Sequence, residues 1–512
     1  MLARRIRVTL TAAARHFSAE AAVDRAVKGR AERNGTGGGR DTVGRRLLSL
    51  VYNKRSAVIA INKWKEEGHK VQKYQLNRVV RELRKVKRYK HALEICEWMT
   101  QQRDMKLQSG DYAVHLDLIA KLRGLASAEK FFEDLPEKMR DHYTCSSLLH
   151  TYVQNKKLPQ AEALMEKMSE CGFVKNVLPY NHMLSLYIAV GQHEKVSEII
   201  SQLKKNTSPD VVTYNLWLTA CASQNDVERA EEVFKELKKA KIDPDWVTYS
   251  TLTNLYMKSE RLEEAASTLN EMEKRASRKN RAAYSSLLSL HTSIGDKDGL
   301  HRIWSKLKSY FRQMSDAEYT CMVSSLVKLG ELEQARTLYT EWESVSGTGD
   351  VRIANVLLAG YINRNQVEEA ESFSHRMAQK SLIPSYTTWE LLTWGHLKRK
   401  EMQKVLKYFK KAISSVKQWN PDDRLVEEIS KNLEEQGDTE GAEELLVMLR
   451  GAGHVGTEIY NSLLRTYAKA GKMPLIVAER MKKDGVVLDE ETHELIRATS
   501  NLCVSEASSY LS

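Results

Sequence analysis

The sequence predicts an all-α protein, a solenoid of about 10 to 12 helical-hairpin repeats, each burying its apolar face against the next. Three observations carry this expectation. Tyr214, Tyr249, Tyr284 and Tyr319 stand 35 residues apart in succession, with Trp389 two periods further on. Ala230, Ala265, Ala335 and Ala370 keep the same period, as do Leu237, Met272, Leu307 and Met377. The 512 residues include only 8 Pro and 25 Gly, and Leu, Ala, Glu, Lys, Arg and Met dominate, the residues that lose least on entering a helix.

Val211 to Asp245 illustrates one repeat. Tyr214, Leu218 and Cys221 form an apolar stripe at helical spacing, and Val227, Ala230, Val233, Phe234 and Leu237 form a second. Gln224-Asn225-Asp226 breaks the chain between them, so the unit reads as a helical hairpin. Ala230 is small enough to let the two helices approach closely. Gly191, Gly295, Gly330 and Gly471 fall at the same break elsewhere, where a helix end needs a left-handed residue. Pro209, Pro244 and Pro384 stop the second helix before the next repeat. The period places repeats at 73–111, 112–141, 142–176, 177–210, 211–245, 246–280, 281–315, 316–350, 351–385, 386–421, 422–456 and 457–489. A basic helical cap over 46–72 precedes them, and a cap helix and tail over 490–512 follow.

Residues 1–19 hold Arg4, Arg5, Arg7 and Arg15, and the first acid is Glu20, which is the composition of an organellar transit peptide. Arg15-His16-Phe17-Ser18 resembles a mitochondrial processing site, so residues 1–17 are expected to be removed, with the mitochondrion preferred to the plastid. Residues 18–45, with Asn34 to Gly39, read as a flexible leader. The formal net charge is +12, but Arg40 to Lys90 holds 16 Lys and Arg against Asp41, Glu66, Glu67 and Glu82, and residues 91–512 sum to −5. Bulk charge therefore argues for phosphate attraction only near the N-terminus. The six cysteines, at 96, 145, 171, 221, 321 and 503, have no close pair, which suggests neither a disulfide framework nor a thiolate metal site. No apolar run approaches the ~20 residues that cross a bilayer, so no membrane insertion is expected.

Val211-Val212-Thr213-Tyr214-Asn215, Trp246-Val247-Thr248-Tyr249-Ser250, Arg261-Leu262-Glu263-Glu264-Ala265 and Ile242-Asp243-Pro244-Asp245 closely resemble the pentatricopeptide repeat. The related tetratricopeptide repeat has a Trp, Leu-Gly, Tyr pattern in its first helix that is absent here. The resemblance runs over residues 73–489 and implies a right-handed superhelix whose first helices line a concave face. It also implies binding of single-stranded RNA, one base per repeat. The fifth and last residues of each repeat would contact the base edge. Those pairs are Ser146 with Asn176, Asn181 with Asp210, Asn215 with Asp245, Ser250 with Asn280, Ser285 with Ser315, Thr320 with Asp350, Asn355 with Ser385, and Asn461 with Asp489. Amides and hydroxyls donate and accept while carboxylates only accept, so combinations can distinguish bases.

By the family's code, repeats 142–385 imply A-U-U-A-x-G-pyrimidine, 5′ to 3′, with the Ser285 and Ser315 repeat undecoded. Leu178, Val212 and Val247 occupy the second, base-sandwiching place, from which Arg352 and Thr387 depart. Glu390, Val426 and Leu116 in the fifth place suggest repeats that do not read. Lys258, Lys328, Lys398 and Lys469 stand where the family places a phosphate-contacting lysine.

Some relatives carry a C-terminal deaminase, which needs His-x-Glu and Pro-Cys-x-x-Cys to hold zinc. This chain has no Cys-x-x-Cys; His493-Glu494 is merely adjacent and Cys503 stands alone. No phosphate-binding glycine loop or His-Glu-x-x-His motif occurs, and the tail is too short for a nuclease domain. The expectation is a plant-type P-class member without catalytic centre, metal or cofactor. It would act as a monomer on organellar RNA in stability, processing or translation, with RNA-processing or translation machinery as further partners. The competing expectation is a scaffold repeat protein associated with the mitochondrial ribosome.

Overall fold

The computed structural model describes residues 42–50, 56–345, 349–380, 382–474 and 476–509, the last nine by backbone alone. The expected transit peptide over 1–17 lies outside the described residues, as does the leader as far as residue 41. Among the described residues the only regular structure is helical. The chain divides into two compact units, residues 1–317 and 318–512.

In the first unit α1 (Val43–Leu48) and α2 (Ala57–Glu66) precede a run of hairpins. These are α3 (Lys73–Lys85) with α4 (Tyr89–Gln101), α5 (Ser109–Arg123) with α6 (Leu125–Glu133), and α7 (His142–Gln154) with α8 (Leu158–Glu170). Then come α9 (Val177–Val190) with α10 (Glu194–Asn206), α11 (Val211–Gln224) with α12 (Val227–Lys239), α13 (Trp246–Lys258) with α14 (Leu262–Arg275), and α15 (Arg281–Ile294) with α16 (Lys297–Tyr310). The second unit holds α17 (Asp316–Lys328), all but its first two residues, with α18 (Leu332–Val345), α19 (Val351–Asn363) with α20 (Val367–Gln379), and α21 (Tyr386–Lys398) with α22 (Met402–Ser414). It ends with α23 (Asp423–Gln436) and α24 (Thr439–Gly451), α25 (Thr457–Lys469) and the short α26 (Val477–Lys483), and α27 (Glu490–Ser509). Helix α1 opens inside the expected leader, at Val43.

Most hairpins are closed by the same local chemistry, while α23 and α25 open without a side-chain cap. A polar residue ahead of the first helix caps it: the Asp245 carboxylate accepts from the amides of Val247 and Thr248 at 2.9 and 3.0 Å, and that of Asp210 from Thr213 at 2.8 Å. Such a cap contributes about 1 kcal/mol. The first helix then ends on a left-handed residue, Asn225 at φ 59° after α11, Gly191 at φ 80° after α9 and Gly295 at φ 86° after α15. The expected break at Gln224-Asn225-Asp226 is thus the end of α11, a left-handed turn and the cap of α12, where the Asp226 side chain accepts from the Arg229 amide.

The periodic residues form the cores. Tyr214, Leu218, Val233 and Leu237 are buried together in the first unit, and Ala230 and Ala265 have no exposed surface. Ala335 and Ala370 are equally buried in the second. A fully buried leucine contributes roughly 2 kcal/mol, so the stripe from each helix outweighs the helix's own marginal propensity.

Two repeat boundaries differ from those set by the period. Helix α5 opens at Ser109, where the Gln108 amide donates to Asp111 Oδ2 at 2.8 Å. Tyr112 therefore holds the fourth place and Ala113 the fifth, and Leu116, expected in the fifth, is a core residue. Helix α23 opens at Asp423, so Glu427 holds the fifth place and Val426 is buried in the fourth. Helix starts follow the cap and the apolar stripe, and connecting segments of variable length shift both against a fixed count.

Candidate nucleic-acid interface

The fifth residue of a first helix lies beside the residue that ends its own repeat, because that last residue caps the next first helix alongside. Asn215 Nδ2 donates to Asp245 Oδ1 at 3.0 Å, and the Thr248 hydroxyl, three residues past the cap, donates to Asn215 Oδ1 at 2.6 Å. Asn181, Asp210 and Thr213 repeat the arrangement at 3.2 and 2.8 Å. In the second unit Asn355, Ser385 and Thr388 do so at 3.1 and 2.7 Å, and Asn461, Asp489 and Thr492 at 3.2 and 2.7 Å.

The four amides are buried and held at both ends. The second Nδ2 hydrogen of Asn181, Asn215 and Asn355, and the outer carboxylate oxygen of Asp210 and Asp245, remain for a ligand, whereas Asn461 Nδ2 meets both oxygens of Asp489 at 3.2 and 3.3 Å.

The pairs Ser146 with Asn176 and Ser250 with Asn280 are not joined in this way. Asn176 spends its side chain capping α9, accepting from the Leu178 amide at 3.0 Å, and no hydrogen bond links it to Ser146. Ser250 shares a hydrogen bond with Ser286 at 2.9 Å, while Asn280 accepts from the Ala283 amide at 3.3 Å. The Asp350 carboxylate accepts from Arg352 Nε at 2.8 Å. Burial raises the Asp350 carboxyl, but the Arg352 guanidinium and amide outweigh it and hold the group below its ordinary range. Thr320 and Ser285 occupy the fifth places of α17 and α15, and Ser315 stands just ahead of α17.

Leu178 and Val212, second in their helices, are each 49% exposed, and Val247 is half-buried. Apolar side chains so placed can lie against a base face. Lys258, Lys328, Lys398 and Lys469 are exposed in the last turns of α13, α17, α21 and α25, where they also complement the helix dipoles.

Three features lie outside the sequence expectations. Asn77 holds the fifth place of α3 and donates to Asp111 Oδ1 at 2.8 Å; a repeat boundary set at 112 hides it. The threonines of the third place form part of the site, and Thr213 and Thr248 stand in the very strings that carry the resemblance. Glu390 and Asp422 set two carboxyl groups at a fifth and a last place, and burial, aided by the Asp422 charge, pushes Glu390 up to about 7. Among the described residues no group of three His, Cys, Asp or Glu side chains could hold a metal ion, and no helix is long and apolar enough to cross a membrane.

Comparison with known proteins follows from this geometry. The PPR repeat family matches residues 209–255, the pentatricopeptide repeat domain 163–208, and the PPR repeat 143–173, 247–276 and 319–345. A mitochondrial pentatricopeptide repeat-containing protein of Arabidopsis thaliana is 62% identical, over 100% of this chain and 99% of its own. The chain belongs to the pentatricopeptide repeat family. Another Arabidopsis thaliana member is 34% identical over 84% of this chain and 89% of its own, and a second mitochondrial one 31% identical over 98% of both. Among solved structures, the pentatricopeptide repeat protein PPR10 in complex with an 18-nt psaJ RNA element aligns with a TM-score of 0.51 at 17% identity. That alignment covers 94% of this chain and 69% of PPR10, and the likeness is one of fold. Within this pentatricopeptide repeat protein, then, the succession of helical hairpins is the family's architecture, filled by this chain's own residues.

Proposed function

We propose that this pentatricopeptide repeat protein binds single-stranded RNA in the mitochondrion, reads it base by base without catalysis, and thereby acts in the stability, processing or translation of a transcript. The observation that carries the reading is the recurrence of a held amide beside a polar last residue at Asn181, Asn215, Asn355 and Asn461. An amide N–H beside a carboxylate oxygen complements the carbonyl and N3–H of uracil, and only an unpaired base offers that edge. The sequence A-U-U-A-x-G-pyrimidine is proposed for residues 142–385, with Leu178, Val212 and Val247 against base faces and the four lysines on phosphates. Residues 1–17 act as the mitochondrial address in this reading, 73–489 as the array and 490–512 as its cap. The mitochondrial relatives, 62% and 31% identical, support the location.

A purified chain lacking residues 1–17, offered a random single-stranded RNA pool at fixed salt beside its Asn215→Thr and Asp245→Asn variants, tests this. Enrichment of a motif near A-U-U-A-x-G that changes at one base in each variant is expected. A pool that enriches nothing overturns base reading. The acidic charge of residues 91–512 and the Glu390 and Asp422 pair favour the scaffold reading instead, which predicts co-sedimentation with mitochondrial ribosomes.

A further inference from the structure

We infer that the threonine in the third place of a first helix is a positioning residue for the reading amide of the preceding repeat, so that each asparagine reading site is a triad drawn from two repeats. The inference rests on the base-reading function proposed above and adds to it Thr213, Thr248, Thr388 and Thr492.

Each of these threonines has no exposed surface. Its hydroxyl accepts from the backbone amide of the cap residue, at 3.3 Å from Asp210, 3.2 Å from Asp245, 3.0 Å from Ser385 and 3.3 Å from Asp489. The hydroxyl has one proton, and the asparagine Oδ1 is never farther from it than the cap side chain is: 2.6 against 3.1 Å for Thr248, and 2.7 against 3.3 Å for Thr388. With Oδ1 held by the threonine and Nδ2 by the cap, the amide can present only its remaining N–H. Turned end for end beside Asp210 or Asp245, it would set Oδ1 against a carboxylate, two acceptors facing with no proton between them.

The rest of the chain supplies the contrasts. Where the fifth residue is not asparagine, the third place of the next first helix holds another residue type with one exception: Pro179 follows Ser146, Ala283 Ser250, Glu318 Ser285, Ile353 Thr320, Leu425 Glu390 and Ile459 Glu427. Thr144 follows Ala113, and with no amide to hold it donates to the Met139 carbonyl at 2.8 Å. Asn77 is followed by Asp111, an acceptor only, and there it is Nδ2 that meets the third-place residue, at 2.8 Å. The third-place side chain therefore sets which end of the amide is free.

The test compares the chain with its Thr248→Val, Thr248→Ser and Thr144→Val variants, each confirmed folded by circular dichroism, against RNAs that differ only at the base read by Asn215. Valine keeps the shape of threonine and deletes the hydroxyl; serine keeps the hydroxyl. Preference for the selected base should fall about tenfold in Thr248→Val, the worth of one hydrogen bond to a held polar group, and survive in Thr248→Ser and Thr144→Val. Preferences at neighbouring bases should stay as they were. A folded Thr248→Val chain with undiminished preference overturns the inference, and so does loss of preference in Thr144→Val. If Thr248→Val does not fold, Thr213→Val repeats the test at the preceding repeat, and failure of both to fold while the serine variants fold assigns the threonines to stability alone and sinks the inference. An unmodified chain that selects no RNA motif is a different outcome, because it removes base reading itself.

Discussion

The phenol of Tyr214 donates to Glu236 Oε1 at 3.0 Å, tying α11 to α12, and 105 residues later Tyr319 repeats the contact with Glu341 at 2.9 Å, tying α17 to α18. The residue whose spacing reveals the period therefore does two jobs, filling the core with its ring and closing the hairpin with its hydroxyl. Tyr214→Phe keeps the ring and deletes the hydrogen bond. Thermal unfolding should show a loss of about 1 kcal/mol, whereas Tyr214→Ala should lose about 4 kcal/mol through the cavity it leaves.

Ala265 is wholly buried in the core that also holds Leu237 and Leu252, in a space that fits a methyl group. Ala265→Leu forces the helices apart and should cost about 2 kcal/mol. Denaturant unfolding of the variant beside Ala265→Ser separates overpacking from a mere change of polarity, since serine adds little volume.

Glu390 gives the stability a pH dependence of unusual sign. Burial first, and the Asp422 charge second, push its carboxyl up to about 7 from an ordinary 4.5. Between these values the folded chain holds a proton that the unfolded chain has released, so stability falls as pH rises from about 4.5 through 7. The loss is at most about 3 kcal/mol, and Glu390→Gln should abolish it. Melting temperatures of the two chains at pH 5 and pH 8 decide the matter. A wild-type pH response identical to that of the glutamine variant refutes the assignment.

Lys258, Lys328, Lys398 and Lys469 make a prediction about salt. If each lies on a phosphate, replacing all four by alanine should weaken RNA binding for every sequence alike and flatten the dependence of log K on log salt by about 0.7 for each lysine that neutralised a phosphate. Base preference should not change, because phosphate contacts carry no sequence information. Titrations at several salt concentrations give the slope directly.

Gly295 ends α15 at φ 86°, where a side chain is strained, and Gly295→Ala should cost about 1 kcal/mol. Glu260 holds the same place after α13 at φ 61°, so that repeat already bears the strain and Glu260→Ala should be nearly neutral.

The hairpin, its period and the side chains that fill each core follow from the sequence alone, because burial must recur wherever one repeat meets the next. Tyr214, Ala230 and Leu237 are legible as core residues for that reason. The cap and break residues, Asp245, Asn225 and Gly191, are legible too, since their chemistry is local to one turn. Where helices α5 and α23 begin is not, because connecting segments change length without disturbing the stripes that pack. Which polar pairs touch is settled only once the helices are stacked. Asn215 reaches Asp245, whereas Asn176 and Asn280 turn to their own helix ends and Asp350 to Arg352. A polar side chain takes whichever partner lies nearest in the folded chain, and residues 30 apart become neighbours only through that stacking. The threonine behind each buried asparagine belongs to the next repeat for the same reason: burial withholds water from its hydroxyl and leaves its proton to the amide and the cap side chain beside it.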